Sequence, residues 1–267
     1  MAKNTPEYYF HSWRRDLTNF SFIKHSKFSG MIVSMHQSGT HWLKHMLAVA
    51  ISCEYKLPMP QYNHANDIIG GYKSPRKYLN APYLASSHSI INPVVNIGFI
   101  RNISGIPKYI VLVRDIRSTL ISNFKKWEKD YKCEFSEYIR GDKSGKRFNH
   151  DIWWCIRFNN CWGRLYENNP AEILVVKYEN LTKDPVCQLD KINSFFDLKL
   201  TEDSIEKGVN ESSKEIMILK DDPDRPAGSV RLDHSMHNLE FDHEDKAFMH
   251  DVIKKYMKYD FNYSYEL

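Results

Sequence analysis

The sequence predicts a three-layer α/β fold in which helices flank a mainly parallel central sheet. Three observations lead there. Short apolar runs at Met31–Val33, Tyr109–Val113 and Ile173–Val176 have the branched, uninterrupted composition of strands covered on both faces. Between them stand stretches with apolar residues at helical spacing, the alternation expected of parallel strands joined by crossover helices. Polar residues follow the strands at once: Ser34 to Thr40, Ser86 to His88, Arg114 and Tyr178. Ligands of such sheets gather at the carboxyl ends of the strands.

Taken in order, residues 1–28 are polar and aromatic without clean periodicity and read as an arm packed on one domain spanning 1–267. Met31, Ile32 and Val33 open the first strand. The loop Ser34–Thr40 leads into a helix with Trp42, Leu43, Met46, Leu47, Ala50 and Ile51 on one face. Pro58, Pro60, Gly70, Gly71, Pro75 and Pro82 punctuate an irregular region of the kind that carries specificity. The run from Pro82 to His88 is a short strand-like segment, and 98–107 is a connector. Tyr109–Val113 is the clearest strand, with Arg114 at its end and a helix expected from Ile116 to Lys129. A polar loop at 132–149 precedes a helix carrying Trp154, Phe158, Trp162 and Leu165, read as core positions. After Ile173–Val176, Asp184-Pro185 fits an N-cap followed by proline at the first helical position, opening a helix with Leu189, Ile192, Phe195 and Phe196. Residues 209–233, with Pro223, Pro226 and Gly228, read as a loop or lid. A closing helix over 241–259 places Phe248, Val252 and Tyr256 on one side.

Composition narrows the function. A net charge of +4 suits attraction of a small polyanion but falls short of the basic stripe of a nucleic-acid binder. Five scattered cysteines without a C-x-x-C pair suit thiols in a reducing compartment. The N-terminus shows no apolar signal region and no run of 18 apolar residues occurs, so a cytoplasmic protein without a membrane span is expected.

The Ser34–Thr40 loop places backbone N–H groups and hydroxyls at the positive end of a helix, which suits a phosphate. An ordinary βα turn with a Ser or Thr cap would carry the same residues. Its sequence, S-M-H-Q-S-G-T-H-W-L, resembles the 5′-phosphosulfate loop of the PAPS-dependent sulfotransferases, usually S-Y-P-K-S-G-T-T-W-L. Ser34, Ser38, Gly39, Thr40, Trp42 and Leu43 match. His36 replaces proline, Gln37 the basic residue and His41 threonine. In Y-I-V-L-V-R-D-I-R-S-T-L-I-S, Arg114 and Ser122 resemble the family's 3′-phosphate pair. A strand-end Arg can hold a phosphate through two N–H bonds; a surface ion pair with Asp115 or Glu128 is the plainer alternative. The segment V-K-Y-E-N-L-T-K-D-P is similar to the family's V-L-Y-E-D-L-x-x-D-P, which puts Tyr178 at the adenine position. His88 ends a strand where the cytosolic branch has K-T-H and its catalytic base. Farther on the likeness thins: Ser213 and Met217 stand for S-F-x-x-M, with Lys214 at the stacking Phe, and Arg225 and Gly228 for R-K-G.

The resemblance implies a P-loop-like sulfotransferase fold, closest to the cytosolic type, and transfer of a sulfuryl group from PAPS to a small-molecule, lipid or carbohydrate acceptor. His88 would take the acceptor's proton. Gln37, Ser38, Gly39, Thr40, His41, Trp42, Arg114, Ser122, Tyr178, Ser213, Met217, Arg225 and Gly228 would hold the nucleotide. Gln37 would also stand where the family stabilises the departing oxygen, with His36, His41 or Lys44 as compensating groups. Two rivals stay open. A non-catalytic PAP- or PAPS-binding protein is made plausible by Gln37. A nucleotide kinase fits less well, because the loop is not G-x-x-x-x-G-K-[ST]. No metal is expected: His41 and His45 have i, i+4 spacing but lack the glutamate of H-E-x-x-H.

Overall fold

The computed structural model describes residues 5–19, 25–91, 99, 107–142, 144–148, 150–224 and 241–266. Five strands, β1 (Gly30–Ser34), β2 (Gly70–Gly71), β3 (Leu84–Ser87), β4 (Lys108–Val113) and β5 (Ile173–Lys177), form one sheet in the order β2-β3-β1-β4-β5. Every neighbouring pair is parallel. β1 lies in the middle, and its C-terminal end is flanked by those of β3 and β4.

Period-two alternation splits the core into two layers. Met31, Val33, Tyr109, Val111 and Val113 face one side. There they meet α3 (Ile116–Tyr131), α5 (Ile152–Asn168) and α10 (His243–Tyr256) through Leu120, Phe158, Trp162 and Val252. Ile32, Ile110 and Leu112 face the other side. They pack against α2 (Thr40–Glu54), α7 (Pro185–Phe196) and α8 (Glu202–Asn210) through Leu43, Leu47, Leu189, Ile192 and Ile205. Side-chain caps start several of these helices. Asp115 accepts from the N–H groups of Arg117 and Ser118, Asp151 from Trp154, and Asp184 from Cys187, with Pro185 following as expected.

Several expectations need correction. The supposed arm carries α1 (Pro6–Asn19), whose Tyr8 is buried. The polar loop at 132–149 contains α4 (Phe135–Arg140), anchored by buried Phe135, Tyr138 and Ile139. The supposed loop from 209 onward includes the end of α8 and then α9 (Lys214–Leu219), capped by Ser213. On α10 Phe248, Val252 and Tyr256 share one side against the core, as expected, with Met249 and Ile253 buried beside them. The C-terminal strand is also less covered than its composition suggests. Leu174 and Val175 are half-buried because β5 is an edge strand. Most of the 98–107 connector and residues 225–240 lie outside the described residues. Among those described, no helix is long and apolar enough to cross a membrane, and no disulfide joins the cysteines.

Candidate active site

The site forms where β1, β3, β4 and β5 end. β1 runs into the loop with Met35 N–H bonded to the Leu112 carbonyl (3.1 Å). Ser38 then donates its hydroxyl to the Met35 carbonyl (2.6 Å), closing the turn from within. Gln37 (φ 58°) and Gly39 (φ 86°) are both left-handed. Left-handed residues in such a turn direct successive N–H groups into one concavity, an arrangement that binds anions. Gly39 is the N-cap of α2 and provides no side-chain bond to the first turn, so the helix end is open to an anionic ligand. No other residue fits there. A Cβ on Gly39 would lie 2.6 Å from the Tyr178 ring, and its φ already disfavours a side chain.

Arg114, at the end of β4, reaches the same loop. Its Nη1 donates to the Gln37 carbonyl (2.8 Å), and its guanidinium lies 4.4 Å from the centroid of Tyr178. Tyr178 begins α6 (Tyr178–Lys183), directly after β5, and meets Trp42 edge-on at 6.5 Å. Trp42 in turn donates its Nε1–H to the Ser212 carbonyl (2.8 Å). Residues far apart in sequence thus gather around the loop: Gln37, Gly39, Trp42, Arg114 and Tyr178. Backbone donors, hydroxyls and a guanidinium beside an aromatic ring fit a phosphorylated nucleotide such as PAPS.

His88 follows β3. The pairing of Val33 with Ser87 brings Ser34 opposite His88. The His88 Nδ1 lies 2.9 Å from the Ser34 carbonyl and 3.2 Å from its hydroxyl. A carbonyl only accepts, so Nδ1 carries the hydrogen and Nε2 holds the lone pair in the neutral ring. The Ser34 hydroxyl also accepts from Thr40 Oγ1 (2.8 Å), joining the histidine to the first residue of α2. Burial lowers the His88 pKa, the Ser34 carbonyl opposes that, and the charges of Lys44 and Lys126 add to the lowering. The ring is therefore neutral near pH 7, as a general base must be.

The other expected residues fall into distinct places. Ser122 is half-buried in the second turn of α3, the helix that follows Arg114. His41 is half-buried in the first turn of α2, with its ring 6.5 Å from that of His64. Lys44 is buried and donates to the Asn66 side chain (2.6 Å). Ser213 caps α9, accepting from Ile216 N–H (3.4 Å). Met217 is buried, and its carbonyl accepts from Asn63 (3.0 Å). Arg225 and Gly228 lie outside the described residues. His45 points away from any shared site with His41: its Nδ1 is 2.6 Å from the Ser212 hydroxyl. Among the described residues no group of three or more His, Cys, Asp or Glu side chains is arranged to hold a metal ion.

Two contacts escaped the sequence reading. The bond of Ser34 to His88 spans 54 positions and follows only from strand register, which the sequence does not print. His36 stacks on His88 with ring centroids 4.1 Å apart and planes 20° from parallel. Its odd place in the loop motif was visible, but the partner was not.

Comparison with known proteins accords with this geometry. The sulfotransferase domain family matches residues 29–258. Sulfotransferase 6B1 of Danio rerio is 26% identical over an alignment 125 residues long that covers 42% of this chain and 38% of that protein. The aligned part is thus under half of that curated relative's length. Mouse sulfotransferase SULT7A1, solved complexed with PAP, is similar at a TM-score of 0.54 and 17% identity, with 90% of each chain covered. Retinol dehydratase, solved with retinol and PAP, gives a TM-score of 0.57 at 16% identity, covering 94% of this chain and 88% of that one. The structural likenesses establish the fold, and the family match takes in most of the sequence: this chain belongs to the sulfotransferase domain family.

Proposed function

We propose that this chain moves a sulfuryl group from PAPS to a hydroxyl or amine of a small-molecule, lipid or carbohydrate acceptor, with His88 as general base. The observation that carries the reading is the Nδ1–H of His88 held on the Ser34 carbonyl, which leaves Nε2 basic beside the phosphate loop. The acceptor's oxygen or nitrogen attacks sulfur while the bond from sulfur to the 5′-phosphate oxygen breaks. The acceptor's proton goes to Nε2, and the electron pair leaves on the phosphate of PAP. The open end of α2 faces the growing negative charge, the kind of fixed donor array that lowers such barriers. Arg114 and Ser122 hold the 3′-phosphate, and Tyr178 and Trp42 flank the adenine. By their likeness to the family's motifs, Ser213, Met217, Arg225 and Gly228 are also assigned to the nucleotide. A small apolar acceptor finds a precedent in the retinol bound by retinol dehydratase. A cytoplasmic setting suits five cysteines that form no disulfide.

Gln37 favours a second reading. A neutral amide cannot supply the charge that the family's loop lysine gives, so a protein that binds PAP or PAPS without turnover would tolerate it. A screen of PAPS-dependent sulfation across phenols, steroids, lipids and sugars separates the two. We expect turnover of at least one class, lost about a hundredfold or more in His88→Ala while PAP still binds. Tight PAP binding with no product from any class would favour the second reading.

A further inference from the structure

We infer that His36 is a positioning residue for His88: its ring lies face to face with the base, fixes the plane of that ring, and stabilises the imidazolium formed when the acceptor gives up its proton. The inference rests on the reading of His88 as the base. His36 occupies the slot where the family's loop has proline, a residue with no aromatic face.

The slot is built to hold a ring. On one side is His88, 4.1 Å away and nearly parallel. Beyond it, His36 meets His150 at 5.0 Å and 57°, and the edge of Trp154 at 5.2 Å and 66°. Both neighbours are immobilised in the core. His150 is fully buried, with Nε2 3.3 Å from the Cys155 thiol. Its carbonyl accepts from Asn123 (3.2 Å) and from the Tyr138 hydroxyl (2.7 Å). Trp154 is buried on α5. His36 therefore touches the base and two core side chains at once.

The chemistry follows from the stack. During transfer the acceptor–sulfur bond forms, the bond from sulfur to the 5′-phosphate oxygen breaks, and the proton moves to His88 Nε2. The new cation keeps its Nδ1–H on the Ser34 carbonyl and presents its face to the π-system of a neutral His36, an attractive cation–π arrangement. Two imidazolium rings at this separation would repel, and Lys44 on α2 and Lys126 on α3 already add positive charge to the surroundings. Once the acceptor has given up its proton, the Ser34 carbonyl keeps that charge on His88. His150, the third imidazole in the group, packs against His36.

Ring-nitrogen NMR titration of the full-length chain tests this without knowing the acceptor, using the parent, His36→Ala and His36→Phe. In His36→Ala the His88 midpoint should fall by about half a pH unit, a roughly threefold loss of proton affinity, as expected for removal of one cation–π partner. In His36→Phe, which keeps an aromatic face, it should stay within about 0.2 units of the parent. Affinity for PAP should stay within about twofold in both variants. A midpoint that holds or rises in His36→Ala would overturn the inference, as would a Phe variant indistinguishable from Ala. So would a tenfold loss of PAP affinity in His36→Ala, since that would make His36 a residue that only shapes the loop. The underlying reading fails by different results. Absence of PAP binding to the parent would sink the nucleotide site. Undiminished turnover of His88→Ala would sink the base, and this inference with it.

Discussion

Arg114 has contacts in the structure and one proposed task, and a single substitution removes both. Its Nη1 holds the Gln37 carbonyl, and its guanidinium is braced over Tyr178, so it shapes the loop and is placed to offer charge to the proposed phosphate. Arg114→Ala should weaken PAP binding by about 2–3 kcal/mol, the usual scale for a lost charge-assisted contact. Calorimetry with PAP checks it, and equal affinities would remove Arg114 from the nucleotide site. Gln37 invites the opposite experiment. Its φ of 58° is a cost the parent already bears, so Gln37→Lys adds no new backbone strain. A charged side chain there should leave PAP affinity similar or tighter and raise single-turnover sulfation by up to ~10–100-fold. A clear loss of rate with intact binding would mean that another group has taken over the role and is crowded by the new charge.

At the scale of elements, the least expected feature is α8, which packs closely on α2 from behind the phosphate loop. The glycine at 208 makes this approach possible. A Cβ there would lie 2.5 Å from the Met46 carbonyl oxygen and 3.1 Å from the Ala50 Cβ. Helix propensity alone predicts that Gly208→Ala stabilises by up to ~1 kcal/mol. The contact with rigid backbone predicts the reverse, a net loss of about 1–3 kcal/mol. Urea unfolding decides, and a gain in stability would show that the two helices can part cheaply. The same glycine helps explain why α8 was hidden in the sequence: with Ser204 and Gly208 in the interface, only Ile205 and Val209 mark its apolar face. α4 was hidden for another reason. Its six residues are too few to display helical period, although Phe135, Tyr138 and Ile139 anchor it. By contrast β1 and β4 were legible because burial on both faces admits only apolar side chains. The strand-end places of His88, Arg114 and Tyr178 were legible because the apolar runs before them stop there. Ser34 with His88 and His36 with His88 were not, since strand register and ring stacking arise only once the chain is folded.

For the whole molecule, two buried histidines stand on opposite sides of the sheet. His25 bonds through Nδ1 to the Tyr109 hydroxyl (3.1 Å), and His45 meets the Ser212 hydroxyl behind α2. Burial lowers both pKa values to about 4, helped at His45 by the charge of Lys220. The unfolded chain protonates them near pH 6.5. Between about pH 6.5 and pH 4 the unfolded state therefore binds protons that the fold refuses, so stability falls as pH drops through that window. Urea midpoints measured from pH 7.5 to 4.5 should decline, and His25→Gln or His45→Gln should flatten the slope. A slope unchanged in both variants would show that other groups cause the decline.

Ser34 gives the fold a property that no single contact describes. Its carbonyl holds His88, the proposed base, and its hydroxyl receives Thr40 at the start of the helix that follows the loop. The two halves of the proposed reaction are thus surveyed from one datum, a residue at the end of the central strand. If that strand end shifts by a fraction of an ångström, both halves shift together, and the error cancels in the distance between them. Since in-line transfer is sensitive to misplacement of about 1 Å, such common-mode motion lets the surrounding loops breathe without detuning the alignment of donor and base.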